Sequence, residues 1–346
     1  MLKKLLLFML LIAIALVAYI LYILSSTGFF REIENKPFGS VHQEIPLKGA
    51  EDMTIDYEAG LLVISAFDRR AEGHGKNPTG GIHIIDLNQE PFQPLKLLDG
   101  LGKGFHPHGI SLFKTDSSSY RLLVVNHQNH EQRLELFDLK KGILTHVTSY
   151  SNEKITSPND VVLIDADRFY FTNDHGYTSK RGIFFENYLG LKASGVVYFD
   201  GKNFSDVAGD IAYANGINIT PDLKNLYVAS PRQFEIIEYA VKKDGSLDQT
   251  NVIPTATGVD NLEWDDRGNL WSGAHPNLIG FQQYAASKKE ISPSEVVKVR
   301  FPEGIVESRY VNDGSEVSSS CVAVPYGDYL FVGTVMDDKI LVLKRE

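Results

Sequence analysis

The chain has 346 residues, 43% of them hydrophobic and 23% charged, so it can bury a large core and does not have the composition of a disordered chain. Its formal charge of −10 argues against nucleic acid, whose phosphates call for a basic face. The single cysteine, Cys321, rules out an intrachain disulfide and the usual thiolate zinc sites, and it reads as a small buried core residue.

Lys3 and Lys4 precede an uncharged run from Leu5 to Leu24. Twenty apolar residues at about 1.5 Å each match a hydrocarbon core of about 30 Å. The run ends in LSSTGFF, a poor cleavage site, which favours an uncleaved signal anchor over a removed signal peptide. The two lysines then lie on the cytoplasmic side. The rest of the chain is expected on the non-cytoplasmic side: periplasmic, luminal or extracellular. Residues 1–25 read as the membrane anchor, 26–40 as a linker and 41–346 as one catalytic domain. No repeat strand falls in 1–24, so removing that stretch is expected to leave a soluble, active domain.

Beyond residue 40, short apolar runs alternate with turn residues, the pattern of an all-β fold. Six runs share one form: LLVISA from Leu61, LLVVNH from Leu122, FYFTND from Phe169, LYVASP from Leu226, LWSGAH from Leu270 and LFVGTV from Leu330. Their starts are 44–61 residues apart, which leaves room for a four-stranded blade of roughly 40–50 residues plus loops. The expected architecture is a six-bladed β-propeller preceded by a transmembrane signal-anchor helix.

A second strand-like piece lies about ten to fourteen residues upstream of each run, and it opens on polar residues: Glu51-Asp52, His108-Gly109, Asn159-Asp160, Asn215-Gly216, Asp260-Asn261 and Ser319-Ser320. The innermost strand of each blade lines the central channel, so Glu51, His108, Asn159, Asn215, Asp260 and Ser320 should converge at one end of it. One polar residue opening a strand is ordinary turn chemistry. Six in register, with buried carboxylates and no Lys or Arg among them, call for a bound cation. Oxygen donors from separate blades suit calcium better than magnesium, and a single His leaves zinc as the weaker alternative. His175 and His275 read as structural hydrogen-bonders. His127 shares a blade with His108 and so can share a proton path with it.

Taken together, EDMTID, HPHGIS, LLVVNH, PNDVV, FTNDH, ANGINITPD, VDNLEWD and LWSGAHPN resemble the serum paraoxonase and arylesterase family, in order and approximate spacing, from about residue 38 onward. The resemblance implies a calcium-dependent hydrolase of lactones and aryl esters, with phosphotriesters as a side activity. It implies two calcium ions. Glu51, Asn159, Asn215, Asp260 and Asn261 would hold the catalytic ion, and Asp52, Asp160 and the carbonyl of Ile110 the structural one. His108 and His127 would form a proton-handling dyad. The substrate is expected to be a small lactone or ester, met at a tunnel mouth flanked by Phe105 and Phe281.

The sequence also departs from the family. It has no cysteine pair to tie the chain ends, so ring closure must rest on pairing the N-terminal segment with the last blade. Ala274 replaces the family's free cysteine before HPN, and the lid loop Arg69–Gly81 differs. The alternative from another class is a non-catalytic, calcium-stabilised binding propeller. Condensation chemistry like that of strictosidine-synthase relatives is the weaker third reading, and no G-x-S-x-G elbow supports a serine esterase.

Overall fold

The fold is a ring of six blades, seen in a computed structural model that describes residues 1–97, 101–102, 104–128 and 131–345. The described residues form twenty-four strands in six four-stranded antiparallel sheets. The inner strands are Ala50–Asp56, Pro107–Asp116, Pro158–Leu163, Ile217–Ile219, Gly258–Trp264 and Ser320–Tyr326. Each pairs with the strand that carries one of the six apolar repeats. Neighbouring inner strands touch around the ring, and the first touches the sixth.

Both faces of the first two strands of a blade are covered, which is why the inner strand Pro158–Leu163 and the second strand Leu270–His275 are buried along their whole length. At the rim the strand Ile143–Tyr150 alternates exposed and covered positions instead. The core is divided among the seams. Six apolar clusters fill the six gaps between neighbouring blades. Two glycines let the inner strands approach: a Cβ on Gly109 would lie 2.5 Å from the Asn159 carbonyl oxygen, and one on Gly216 2.4 Å from that of Asp260.

The ring closes by hydrogen bonding. Ser40–Pro46 pairs antiparallel with the last strand, Lys339–Lys344, and so becomes the outermost strand of the sixth blade. This is the closure expected without a disulfide. Helix α1 spans Leu2–Ser26 and is long and apolar enough to cross a membrane. Its 25 residues reach about 37 Å. Three short helices, α2 (Arg69–Gly73), α3 (Lys180–Leu189) and α4 (Leu278–Ala285), follow the second strands of blades one, three and five.

The stretch 26–40 is not a loose linker. Thr27 is buried, Arg31 makes a bidentate ion pair with buried Glu295 at 2.7 and 3.0 Å, and Lys36 bridges to Val311. A buried carboxylate needs such a partner, and Arg31 supplies it from this stretch.

If closure rests on packing the added strand, Ile45, which is fully buried opposite Ile340, should carry it. Ile45→Ala is expected to cost about 2–5 kcal/mol in a denaturant titration. Val41→Ala, on the same strand but 46% exposed, should cost under about 0.5 kcal/mol. Equal midpoints for the two variants would show that closure lies elsewhere.

Candidate active site

Five of the six inner strands carry a register shift at their polar opening: between Ala50 and Asp52, Pro107 and Ile110, Pro158 and Val161, Val259 and Leu262, and Ser320 and Val322. In a regular strand two consecutive side chains point to opposite faces. A bulge re-aims them, so Glu51 and Asp52, or Asn159 and Asp160, can both serve the axis. Glu51, His108, Asn159, Asn215 and Asp260 line one cavity of about 240 Å3. Asp52, Ile110 and Asp160 line another of about 160 Å3.

Three residues that line the first cavity carry a buried oxygen with no hydrogen-bond donor, Glu51 Oε2, Asn159 Oδ1 and Asn215 Oδ1, and Asn261, bonded to Glu51, carries a fourth on its Oδ1. Two of the amides are held by their nitrogens. Asn261 Nδ2 donates to Glu51 Oε1 at 2.9 Å and to the Glu51 carbonyl at 3.0 Å. Asn159 Nδ2 donates to Asp174 Oδ2 at 3.4 Å. The free oxygens are therefore presented rather than left over. Orphaned buried acceptors are costly, and this set fits an oxygen-ligated cation. Among the described residues no group of three or more His, Cys, Asp or Glu has metal-site geometry. The donors here are as much amide as carboxylate, which excludes thiolate-type zinc chemistry and suits a hard ion.

The electrostatics agree. Burial would raise the Glu51 carboxyl, but the charge and hydrogen bond of His108, aided by Arg69 and Asn261, outweigh it and hold it at about 2. Burial pushes Asp260 up, only partly countered by His275. In the second cavity burial pushes Asp52 and Asp160 well up, and the Asp160 and Glu51 charges add to the effect on Asp52. Both aspartates also staple blades: Asp52 Oδ2 accepts from Ile110 N at 2.7 Å and Asp160 Oδ2 from Ile217 N at 2.8 Å. Glu263, which the sequence reading missed, faces the same space and is raised to about 8 by burial.

His108 and His127 meet. His127 Nε2 is 3.1 Å from His108 Nδ1, with the rings nearly perpendicular. His108 Nε2 lies 3.3 Å from Glu51 Oε1, and His127 Nδ1 lies 2.5 Å from Gln132 Oε1. Burial, then the neighbouring His108, lowers His127 to about 3, so it is neutral at neutral pH.

Some expectations change. Ser320 does not join the ring: its hydroxyl donates to the Glu295 carbonyl at 2.8 Å, because the blade-six bulge turns it into the seam. Cys321 beside it is buried, with its thiol on the Glu51 carbonyl at 2.9 Å. Phe105 is fully buried between blades one and two and flanks no mouth, whereas Phe281 does line the cavity. His275 belongs to the site: it lines the cavity, lies 2.8 Å from Asp260 Oδ2 and stacks on Phe281 at 4.0 Å. Its place at the end of the strand next to the inner one was visible in LWSGAHPN, but its contact with Asp260 was not. His175 instead bonds Glu186 at 2.6 Å, outside the cavity lining. Arg69, from α2, brings a cation to the ring that the strand pattern lacked, 3.2 Å from His108 Nδ1.

The chain is similar to known proteins in sequence and in fold. The arylesterase family model matches residues 49–342. Serum paraoxonase/arylesterase 2 of Rattus norvegicus is 34% identical over 298 residues, 83% of each chain. Serum paraoxonase/arylesterase 1 of Homo sapiens is 33% identical over 299 residues, again 83% of each. Among solved structures, regucalcin from Agrobacterium tumefaciens shares the propeller fold with a TM-score of 0.53 at 14% identity, covering 89% of this chain and 95% of that one. On the family match and these identities, the chain is a member of the arylesterase family.

Proposed function

We propose that the chain is a calcium-dependent hydrolase of lactones and aryl esters. The observation that carries the reading is the set of donorless oxygens on Glu51, Asn159 and Asn215, which line one cavity with His108, backed by Asn261 and by His127 behind His108. Family membership supports ester and lactone chemistry. Glu51, Asn159, Asn215, Asp260 and Asn261 would hold one ion. Asp52, Asp160 and the Ile110 carbonyl would hold a second, structural one. When bound, calcium supplies a Lewis-acidic pole for a carbonyl oxygen and for the oxyanion that develops on it.

The remaining work falls to side chains. Glu51 is buried and its Oε1 already accepts from Asn261, so it serves as a ligand rather than a base. His108 is the better base because its ring faces the cavity and its other nitrogen has a partner in His127. Gln132 Oε1 accepts from His127 Nδ1, which leaves the bare nitrogen of neutral His127 directed at His108. A proton taken from water at His108 Nε2 can thus be matched by one shared across the pair. His275 positions Asp260 and, stacked on Phe281, closes one side of the cavity. With α1 read as an anchor, the propeller lies on the non-cytoplasmic side, where the small-molecule substrate is met.

Chelator treatment should abolish ester and lactone turnover and lower the melting temperature. At free calcium a thousandfold above Kd the lost stabilisation is about 4 kcal/mol. Full activity and an unshifted melt in chelator would defeat the calcium reading.

The two ions separate by variant. Asn215→Ala and Asp260→Ala should fold and lose turnover by about a hundredfold or more. Asp160→Ala should mainly lose stability, since it also strands the buried Ile217 N–H, worth about 1–3 kcal/mol. A wild-type melt for Asp160→Ala with active Asp260→Ala would reverse the assignment.

His108→Gln should reduce kcat/KM for an alkyl lactone about a hundredfold. Phenyl ester turnover, with its better leaving group, should fall less, and phosphotriester turnover is expected to survive in part. An equal loss on lactone and phenyl ester would remove the proton-handling role.

A further inference from the structure

Helix α1 is exposed along residues 1–22, and burial begins abruptly at its last turn. Ile23, Leu24 and Ser26 are half-buried, and Thr27 and Gly28 are buried. The turn is fastened from several sides. Leu278 N, at the start of α4, donates to the Thr27 carbonyl at 3.0 Å. Arg232 donates to Ser26 Oγ at 3.2 Å and to the Asn187 carbonyl, in α3, at 3.1 Å. Gly28 has φ +70, and a Cβ there would lie 2.1 Å from the Pro276 carbonyl oxygen, so only glycine lets the chain pass that close.

This turn also reaches the cavity. Ile23 and Thr27 line the same 240 Å3 space as Glu51, His108 and Asp260. The Thr27 hydroxyl proton is directed at the Ile23 and Leu24 carbonyls, 3.0 and 2.9 Å away, so it is not offered to the cavity. With Leu278, Phe281 and Val335, the turn makes an apolar wall facing the polar floor. A site of that form fixes the reacting group by its few polar atoms and selects the remainder of the ligand by its apolar lining.

We propose that the last turn of α1, through Ile23 and Thr27, is a specificity-determining wall of the active site that receives the apolar substituent of the substrate. The helix is then part of the catalytic domain as well as its anchor, and removing residues 1–24 takes away Ile23 and changes substrate preference. The proposal rests on the ester and lactone reading above.

The test uses full-length protein in detergent, with intact mass confirming that α1 is retained. The substrates are two γ-lactones, one with a methyl and one with a decyl substituent. Ile23→Trp should lower kcat/KM for the decyl lactone about tenfold or more, the scale of a few methylenes in an apolar pocket, while the methyl lactone changes less than about threefold. Ile23→Ala should shift the ratio by a smaller amount while keeping the fold, and Leu11→Ala, exposed in mid-helix, should leave both substrates unchanged. An unchanged ratio in both Ile23 variants, or an equal loss on both lactones, overturns the proposal. So does a mature protein lacking residues 1–25 with the full-length preference. Wild-type protein that turns over neither lactone nor phenyl ester refutes the hydrolase reading itself, and the wall with it; an active wild type with an unmoved ratio refutes the wall alone.

Discussion

Oxygen atoms buried at the axis without donors are the constraint around which the propeller is built. Each such atom has given up water, and the low-dielectric centre of the ring offers no return unless a cation supplies it. Three of them belong to residues lining one cavity, with a fourth on Asn261 and two raised aspartates close by, in a fold otherwise held together by apolar seams. The supporting bonds point the same way. Asn261 and Asn159 spend their N–H groups on Glu51 and Asp174, so that their oxygens are the ends left facing inward. Amides held like this are oriented, with a fixed oxygen available to a ligand-seeking group.

Geometry at the axis depends in turn on the bulges. A straight inner strand would send Glu51 to one face and Asp52 to the other, and only one could reach the channel. The register shift lets consecutive residues serve two cavities at different depths, with one blade contributing to both. Tight approach of the inner strands at Gly109 and Gly216 keeps the ring narrow enough for ligands from different blades to converge. Closing that ring is a non-local task, and it falls to a strand almost 300 residues distant in sequence from its partner, Ser40–Pro46 against Lys339–Lys344.

This dependence explains what the sequence showed and what it hid. The blade number was legible because each second strand ends in the same small or polar signature, and the ring because core strands that open on Glu, Asn or Asp contradict their own burial. Closure was legible by elimination, since one cysteine cannot form a disulfide. Ser320 misled because a polar strand opening looks the same whether its hydroxyl faces the axis or a neighbouring carbonyl. His275 and Arg69 were hidden because they arrive from the far end of a second strand and from a short lid helix, and strand periodicity carries no information about either path. Ile23 was hidden for a different reason. In a uniformly apolar helix, no residue is marked as the one that turns from lipid-like exposure to a cavity wall.

The histidine pair shows how such late-arriving contacts govern chemistry. His108 Nδ1 has two neighbours, His127 Nε2 at 3.1 Å and Arg69 Nη2 at 3.2 Å. A guanidinium can only donate. When Arg69 engages Nδ1, the proton of a neutral His108 must sit on Nε2, and the ring offers no base toward the cavity. Neutral His127, with its Nδ1 proton on Gln132, can only accept at Nε2. That contact puts the proton of a neutral His108 on Nδ1 and leaves Nε2 without one, so the hydrogen bond from Nε2 to Glu51 Oε1 forms only when both ring nitrogens carry protons. The two neighbours therefore select opposite tautomers of one imidazole. Basicity at the cavity face of His108 is decided less by the histidine itself than by which neighbour holds its other nitrogen, and Gln132 holds the scale on one side while α2, carrying Arg69, holds it on the other.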